Sequence, residues 1–406
     1  MAINQRMKIA IDALPLMMPK TGIGFYTHHL LSEFIRIAPE NEYYLCDILW
    51  KQIFYNLIKI EDFPTMAETF QHISGFPHPL KIVSRILLFL YTRTTGAKKI
   101  ENTDLFFGPN FRAIFRDSLK TVITIHDMAH EYYPENVDEK LLRHLKQELP
   151  QTARLATLII TDSQNTKMDV LKFLNVPEDK VKVIYIGVDK TFRPINDPIV
   201  LEATRKKYHL PGEFILYLGA IQPRKNIAGL IGAYHLLCQD PGFKYHLVVA
   251  GGVGWKNQDI SRLVVELGLK DRIIFTGYIS SLDLPNLYNL AAAFIYPSFY
   301  EGFGLPVVEA MACGIPVVTS NNSSLPEVGG DAVIYVNPHS ADEVANGIRR
   351  ILSDKELRSQ CIARGLERAK IFSWEKCASE TLTVLNEANR MVMASPDSKS
   401  FTWSLQ

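Results

Sequence analysis

The chain has 406 residues, a formal net charge of +1, 47% hydrophobic residues and 10% aromatics, which points to two domains, each able to bury its own core. The near-neutral charge offers no field for nucleic acid, and no apolar run reaches the roughly 20 residues that span a bilayer. The five cysteines form no C-x-x-C pair, which argues against zinc or a disulfide framework and reads as reduced thiols of a cytosolic protein.

From the amino terminus, Met1-Ala-Ile-Asn-Gln-Arg-Met-Lys lacks the apolar stretch of a signal segment and runs into a strand at residues 8–13. A helix follows over 22–38, with Ile23, Tyr26, Leu30, Leu31, Phe34 and Ile35 on one face and Pro39 ending it. Strands are expected at 43–49, 105–107, 121–125, 157–161 and 181–186. Ser163 fits the N-cap of a helix that runs to Leu174. Between these elements, residues 79–99 carry Lys81, Arg85, Arg93, Lys98 and Lys99 among apolar residues. They read either as a core helix with basic ends or as a helix touching a membrane, and residues 50–60 are open to the same two readings.

Two prolines and polar residues at 192–198 mark a linker. A second alternating unit follows, with strands at 214–219, 246–250, 272–275, 293–296, 317–319 and 332–336. A final helix is expected over 373–391, then a polar tail from 394 to 406. Strands alternating with helices make parallel sheets, and such sheets bind ligands beyond the carboxyl ends of their strands.

The densest chemistry lies in Ser298-Phe-Tyr-Glu-Gly-Phe-Gly-Leu-Pro-Val-Val-Glu309, which places Glu301 in a strand-to-helix loop and Glu309 about one turn into the helix. Pro306 suits the first helical turn. Gly304 and Leu305 then offer backbone N–H groups at the positive helix end, a setting for a diphosphate. The two carboxylates are better suited to hydroxyls on either side, one on a sugar and one on a ribose, so the spacing points to a nucleotide-sugar site. Gly22 and Gly24 open a helix after the first strand, as a tight turn or a partial dinucleotide fingerprint whose third glycine position holds Thr27. His126 ends a strand, where Asp127 either holds it or caps the next turn. Arg224 and Lys225 follow the first strand of the second unit, where a planar fork and a mobile ammonium suit phosphate better than a merely solvated surface. No Asp-x-Asp pair occurs, so neither a divalent metal nor any other cofactor is expected.

The run from Glu301 to Val318 resembles the E-x7-E signature of retaining glycosyltransferases of family 4. Thr21-Gly-Ile-Gly24, Ile125-His-Asp127, Pro223-Arg-Lys-Asn226 and Ser324-Leu-Pro-Glu-Val328 resemble that family's other motifs, in the same order over most of the chain. The resemblance implies an α/β architecture of two Rossmann-like domains facing across a cleft, the glycosyltransferase-B fold. Residues 1–191, with 373–406 returning to them, would form the acceptor side, and residues 199–372 the donor side.

The resemblance also implies roles. Glu301 would bind the sugar's 3- and 4-hydroxyls and Glu309 the ribose. His126 would lie at the sugar's hydroxymethyl group, while Lys225 and Arg224 would stabilise the departing diphosphate. Gly22, Gly24, Asp127, Gly302, Phe303, Gly304 and Leu305 would complete the donor contacts. Ala220 stands where many members carry an arginine, so Arg224 takes over that part.

The chain is similar to bacterial mannosyltransferases of surface polysaccharide assembly. This implies GDP-mannose as first donor, a UDP-hexose as second, and a saccharide or lipid-linked saccharide as acceptor. The expected location is the cytoplasm, with peripheral contact at the inner membrane face if 79–99 touches lipid; the oligomeric state is open. Rival readings are a sugar-nucleotide epimerase or glycan phosphorylase, a dinucleotide oxidoreductase, and a non-catalytic sugar-nucleotide-binding subunit.

Overall fold

The computed structural model describes residues 6–17, 22–48, 55–59, 103–115, 119–252 and 257–391. Thr21, segment 79–99 and the tail 394–406 lie outside the described residues. Strands β1 (Lys8–Asp12), β2 (Glu42–Ile48), β3 (Tyr55–Lys59), β4 (Leu105–Gly108), β5 (Lys120–Ile125), β6 (Leu158–Thr161) and β7 (Val181–Val183) form one sheet in the order β3-β2-β1-β4-β5-β6-β7. Neighbours pair in parallel except β2 with β3. Within 50–60, where the sequence reads as an apolar helix, residues 55–59 are instead this antiparallel edge strand. Five residues are too few to win a helix stripe, and the open edge of β2 supplies the backbone partners a strand needs.

The second sheet contains β8 (Phe214–Leu218), β9 (His246–Ala250), β10 (Ile273–Gly277), β11 (Ala293–Tyr296), β12 (Val317–Ser320) and β13 (Ile334–Val336), in the order β10-β9-β8-β11-β12-β13. All its neighbours are parallel. Every residue of β4, β6, β11 and β12 is buried, as expected of parallel strands covered by helices on both faces. Both sheets reverse strand order beside their first strand, at β1/β4 and β8/β11. Such reversals open a crevice at the strands' carboxyl ends.

Two stretches of chain join the units. Gly187 passes so close to the returning chain that a Cβ would lie 2.2 Å from the Trp374 nitrogen, and Val188 N–H donates to the Phe372 carbonyl at 3.1 Å. Pro198 starts the Pro198–Lys207 helix rather than closing the linker, because Asp197 accepts from the amides of Ile199 and Val200. The Trp374–Arg390 helix, capped by Ser373, packs on the first sheet beside the Gly22–Ile37 helix, with the Trp374 ring stacked 4.9 Å from His29. Among the described residues no helix is long and apolar enough to cross a membrane.

Candidate functional site

The crevice of the second sheet is built by the turns after β8 and β11. After β8, Pro223–Lys225 forms a single 3₁₀ turn, and Asn226 adopts a left-handed conformation (φ 56°) that swings the chain into the Ile227–Cys238 helix. Asparagine tolerates that conformation. Its amide group then donates to the carbonyls of Pro297 (3.0 Å) and Pro338 (2.7 Å), fixing this turn against the end of β11. Gly229 is required here, since a Cβ would lie 2.3 Å from the Asn226 amide oxygen.

This framework brings Lys225, Arg224 and Glu301 together. Lys225 Nζ donates to both carboxylate oxygens of Glu301 at 2.6 and 2.7 Å and to the Tyr296 hydroxyl at 2.7 Å. Arg224 reaches Glu301 at 3.3 Å and the Tyr300 carbonyl at 3.1 Å. All three side chains are less than a fifth exposed, at 12% for Lys225, 18% for Arg224 and 7% for Glu301. Burial works against the Glu301 carboxylate, but the charges of Lys225 and Arg224 overcome it and hold the carboxyl below its usual range. Burial dominates at Lys225 and brings its ammonium down to about 8, with Glu301 opposing that fall and Arg224 adding to it. Tyr296, buried and bonded to Lys225, escaped the sequence reading; its position at the end of a buried strand was the available signal.

Glu309 does not join this cluster. Its carboxylate accepts from the Tyr288 hydroxyl at 2.8 Å, and burial raises its pKa to about 7. Gly304 is the N-cap of the Leu305–Ala312 helix at φ 105°, with Pro306 in the first turn and, the cap being glycine, no capping side chain on the leading amides. A Cβ on Gly304 would also lie 2.8 Å from Leu325 Cδ2. Phe303 is buried, its ring 5.5 Å from Phe372 and 6.2 Å from Tyr185, so what it offers a ligand is its backbone. Ala220 is exposed, and Arg224 is the arginine that meets Glu301.

On the first unit, His126 spans the carboxyl ends of three strands. Nε2 lies 2.9 Å from the Pro109 carbonyl, which can only accept, so this nitrogen carries a proton. Nδ1 lies 2.6 Å from Asp162 Oδ2. Burial disfavours the imidazolium, yet Asp162 and the Pro109 carbonyl outweigh it and raise the His126 pKa. The partner is thus Asp162, a residue the sequence reading missed although it directly follows β6. Asp127 caps the next turn instead, accepting from Ala129 N–H at 2.9 Å. The Tyr26 ring meets His126 edge-on at 4.8 Å, which brings the start of the Gly22–Ile37 helix, with Gly22 and Gly24, to the same end of the sheet. Among the described residues, a Cβ on Gly22 would meet nothing within 4 Å. Among the described residues, no three His, Cys, Asp or Glu side chains are grouped to hold a metal ion.

The two units touch directly beside this site. The Gly302 Cα lies so near the first unit that a Cβ would sit 2.0 Å from the His126 carbonyl oxygen and 2.7 Å from Asp127 Cβ. The crevice therefore combines a cation pair, a buried carboxylate and a helix start on one side with a braced histidine on the other. Such a constellation can hold a diphosphate and stabilise charge developing on it.

Comparisons with known proteins bear on the family and the fold. The family described as Glycosyl transferases group 1 matches residues 202–368, and Glycosyltransferase Family 4 matches residues 65–192. The O-antigen chain mannosyltransferase B of Escherichia coli is 33% identical over 386 residues, covering 93% of this chain and 98% of that protein. The serotype-specific mannosyltransferase WbdA of Escherichia coli is 35% identical over 264 residues, 64% of this chain but 32% of the relative's length. Sucrose-phosphate synthase from Thermosynechococcus elongatus shares the fold, with a TM-score of 0.68 at 20% identity, over 94% of this chain and 99% of that one.

Proposed function

Because the chain belongs to the family 4 glycosyltransferases, we propose that it is a retaining mannosyltransferase that moves mannose from GDP-mannose to a saccharide or lipid-linked saccharide. The observation that carries the reading of the site is the Lys225–Glu301–Arg224 cluster at the β8/β11 crevice, beside the helix start at Gly304 and Leu305. Mannose as the transferred sugar is supported by the similarity to the O-antigen mannosyltransferase over nearly its full length.

In this reading the diphosphate sits on Lys225, Arg224 and the leading amides of the Leu305–Ala312 helix. These groups gain most as the bond from the anomeric carbon to the diphosphate breaks and negative charge grows on the leaving oxygens. The acceptor hydroxyl enters from the first unit on the same face. It forms the new glycosidic bond and passes its proton to the departing phosphate. Glu301 binds the sugar's 3- and 4-hydroxyls, Glu309 the ribose. For His126 to bind the sugar's hydroxymethyl group through its ring, that hydroxyl would replace the Pro109 carbonyl at Nε2. Gly22, Gly24 and Asp127 line the first-unit side of the diphosphate and sugar.

A donor panel scored by thermal shift tests the reading, since only a ligand of the folded state raises the unfolding temperature. GDP-mannose is expected to stabilise the chain more than UDP-hexoses; a larger shift with a UDP-hexose would replace mannose with that donor's sugar. With the α-linked donor, proton NMR of the first-formed product is expected to show an α-linkage, and a β-linked product would overturn the retaining assignment. Turnover is expected to persist in EDTA, because Lys225, Arg224 and a helix start bear the diphosphate charge. Loss in EDTA with recovery on adding Mg²⁺ would reverse that part.

A further inference from the structure

The Ser324-Leu-Pro-Glu-Val328 motif has no part in the chemistry above, yet the structure ties both of its ends to the site. At its amino end, Ser324 Oγ lies within bonding distance of the carbonyls of Glu301 (2.9 Å) and Phe303 (2.7 Å), while the neighbouring Ser323 hydroxyl accepts from Glu301 N–H at 3.1 Å. These bonds orient the backbone of the residue read as the sugar ligand. At the other end, Glu327 crosses to the first unit. Its carboxylate accepts from the backbone amides of Gln164 (2.7 Å) and Asn165 (3.3 Å), the first turn of the Gln164–Leu174 helix. A carboxylate is favoured there by the unpaired amides and the positive helix end. From behind, Arg368 donates to the backbone carbonyls of Glu327 (2.6 Å) and Val328 (3.1 Å), so the crossing residue is braced.

The same helix turn grips the loop that carries Glu301. The Ser163 and Thr166 hydroxyls reach the Gly302 carbonyl at 2.6 and 3.1 Å. The Tyr300 hydroxyl donates to Asp169 Oδ2 at 2.7 Å and accepts from Met128 N–H at 3.2 Å. Residues 300 and 302 are therefore both anchored on the first unit, and the residue between them is Glu301. We propose that Glu327, with Tyr300, is a positioning residue: it docks the first unit on the Glu301 loop, so that the sugar-binding carboxylate, already held by its own unit, is aligned with the acceptor side. Neither side chain is assigned contact with the donor.

The proposal rests on the reading of Glu301 as a sugar ligand, and its test separates the two. The full chain is compared as wild type, Glu327→Ala, Glu327→Gln and Tyr300→Phe. Glu327→Ala is expected to lower kcat for transfer from GDP-mannose by about tenfold or more, as for a reacting group displaced by a fraction of an ångström. GDP affinity is expected to stay within about twofold, because the diphosphate groups are not touched. Glu327→Gln, which keeps an acceptor oxygen for one amide, is expected to recover part of kcat, and Tyr300→Phe to lower kcat without weakening GDP. Small-angle X-ray scattering is expected to show a larger radius of gyration for Glu327→Ala than for wild type. A wild-type kcat in Glu327→Ala would overturn the proposal, as would a kcat loss matched by an equal loss of GDP affinity. If the wild-type chain turns over no nucleotide sugar, the functional reading fails, and scattering alone decides the docking: expansion in Glu327→Ala supports it, and an unchanged profile overturns it.

Discussion

Glu301→Gln is expected to reduce transfer by about a hundredfold or more, the scale seen when a charge-positioning group is removed from a reacting centre, while GDP still binds. Glu301 is buried and accepts from Lys225 and Arg224 in addition to its proposed sugar hydroxyls. Glutamine keeps the shape but turns an NH₂ group toward one of those cations and removes the charge between them. The variant also changes pH behaviour, with a definite sign. In the wild type Lys225 loses its proton near pH 8, because burial lowers it and Glu301 only partly restores it. A diphosphate needs the ammonium, so wild-type GDP affinity is expected to fall as pH rises through about 8. Without the Glu301 carboxylate the Lys225 pKa drops further, and the fall in affinity should set in at lower pH. Titration calorimetry with GDP between pH 6 and 9 reads this directly. Transfer near the wild-type level in folded Glu301→Gln, or identical pH profiles for GDP in the two proteins, would remove Glu301 from its assigned place.

Lys225→Ala is expected to weaken GDP and GDP-mannose by roughly tenfold to a hundredfold, the value of one or two hydrogen bonds to a charged group. Guanosine, which has no phosphate, should bind as before. Stability falls too, by about 3 kcal/mol, since the substitution strips the nearer of two cations from a buried carboxylate. The sign of its pH dependence follows from Glu301. In the wild type its folded-state pKa is held below the unfolded value, so the contribution is present above the usual carboxylate range and is lost as pH falls through the folded value. The Glu301 part of the stability gap between wild type and Lys225→Ala should therefore be fully present at neutral pH and shrink in acid. Lys225 itself adds a slope of opposite origin. Its folded pKa of about 8 lies below the usual 10.5, so the unfolded chain holds the extra proton between those values and wild-type stability rises with pH across that window. Denaturant melts at several pH values measure both effects. Unchanged GDP affinity in the variant would take Lys225 out of the diphosphate site, and Arg224→Ala would then be the variant to examine.

What the sequence determined by itself was local. The alternation of strand and helix patterns defines two sheets, parallel but for the edge strand β3. Pro306 after Gly304 marks the helix start, and the loop position after a strand's carboxyl end marks the basic pair Arg224-Lys225. Each depends on residues within about four positions, through backbone conformation and helix or strand period, so each is legible in a single chain. The placement of Glu301 in the loop and Glu309 in the helix is legible for the same reason, because one strand-turn-helix carries both acids.

Tertiary structure alone decided the partners. His126 is held by Asp162, which is 36 positions away, and not by Asp127 beside it. Lys225 and Glu301, 76 positions apart, neutralise each other because the turns after β8 and β11 open at one crevice. Residues 55–59 form a strand because β2 offers an edge, a matter of neighbours that their own five residues do not encode. The grip of Glu327 on Gln164 and Asn165 depends on how two sheets meet, and no periodicity along the chain records that. Side-chain pairing across long loops is set by where strand ends converge in space, and convergence exists only after the sheets have formed and docked.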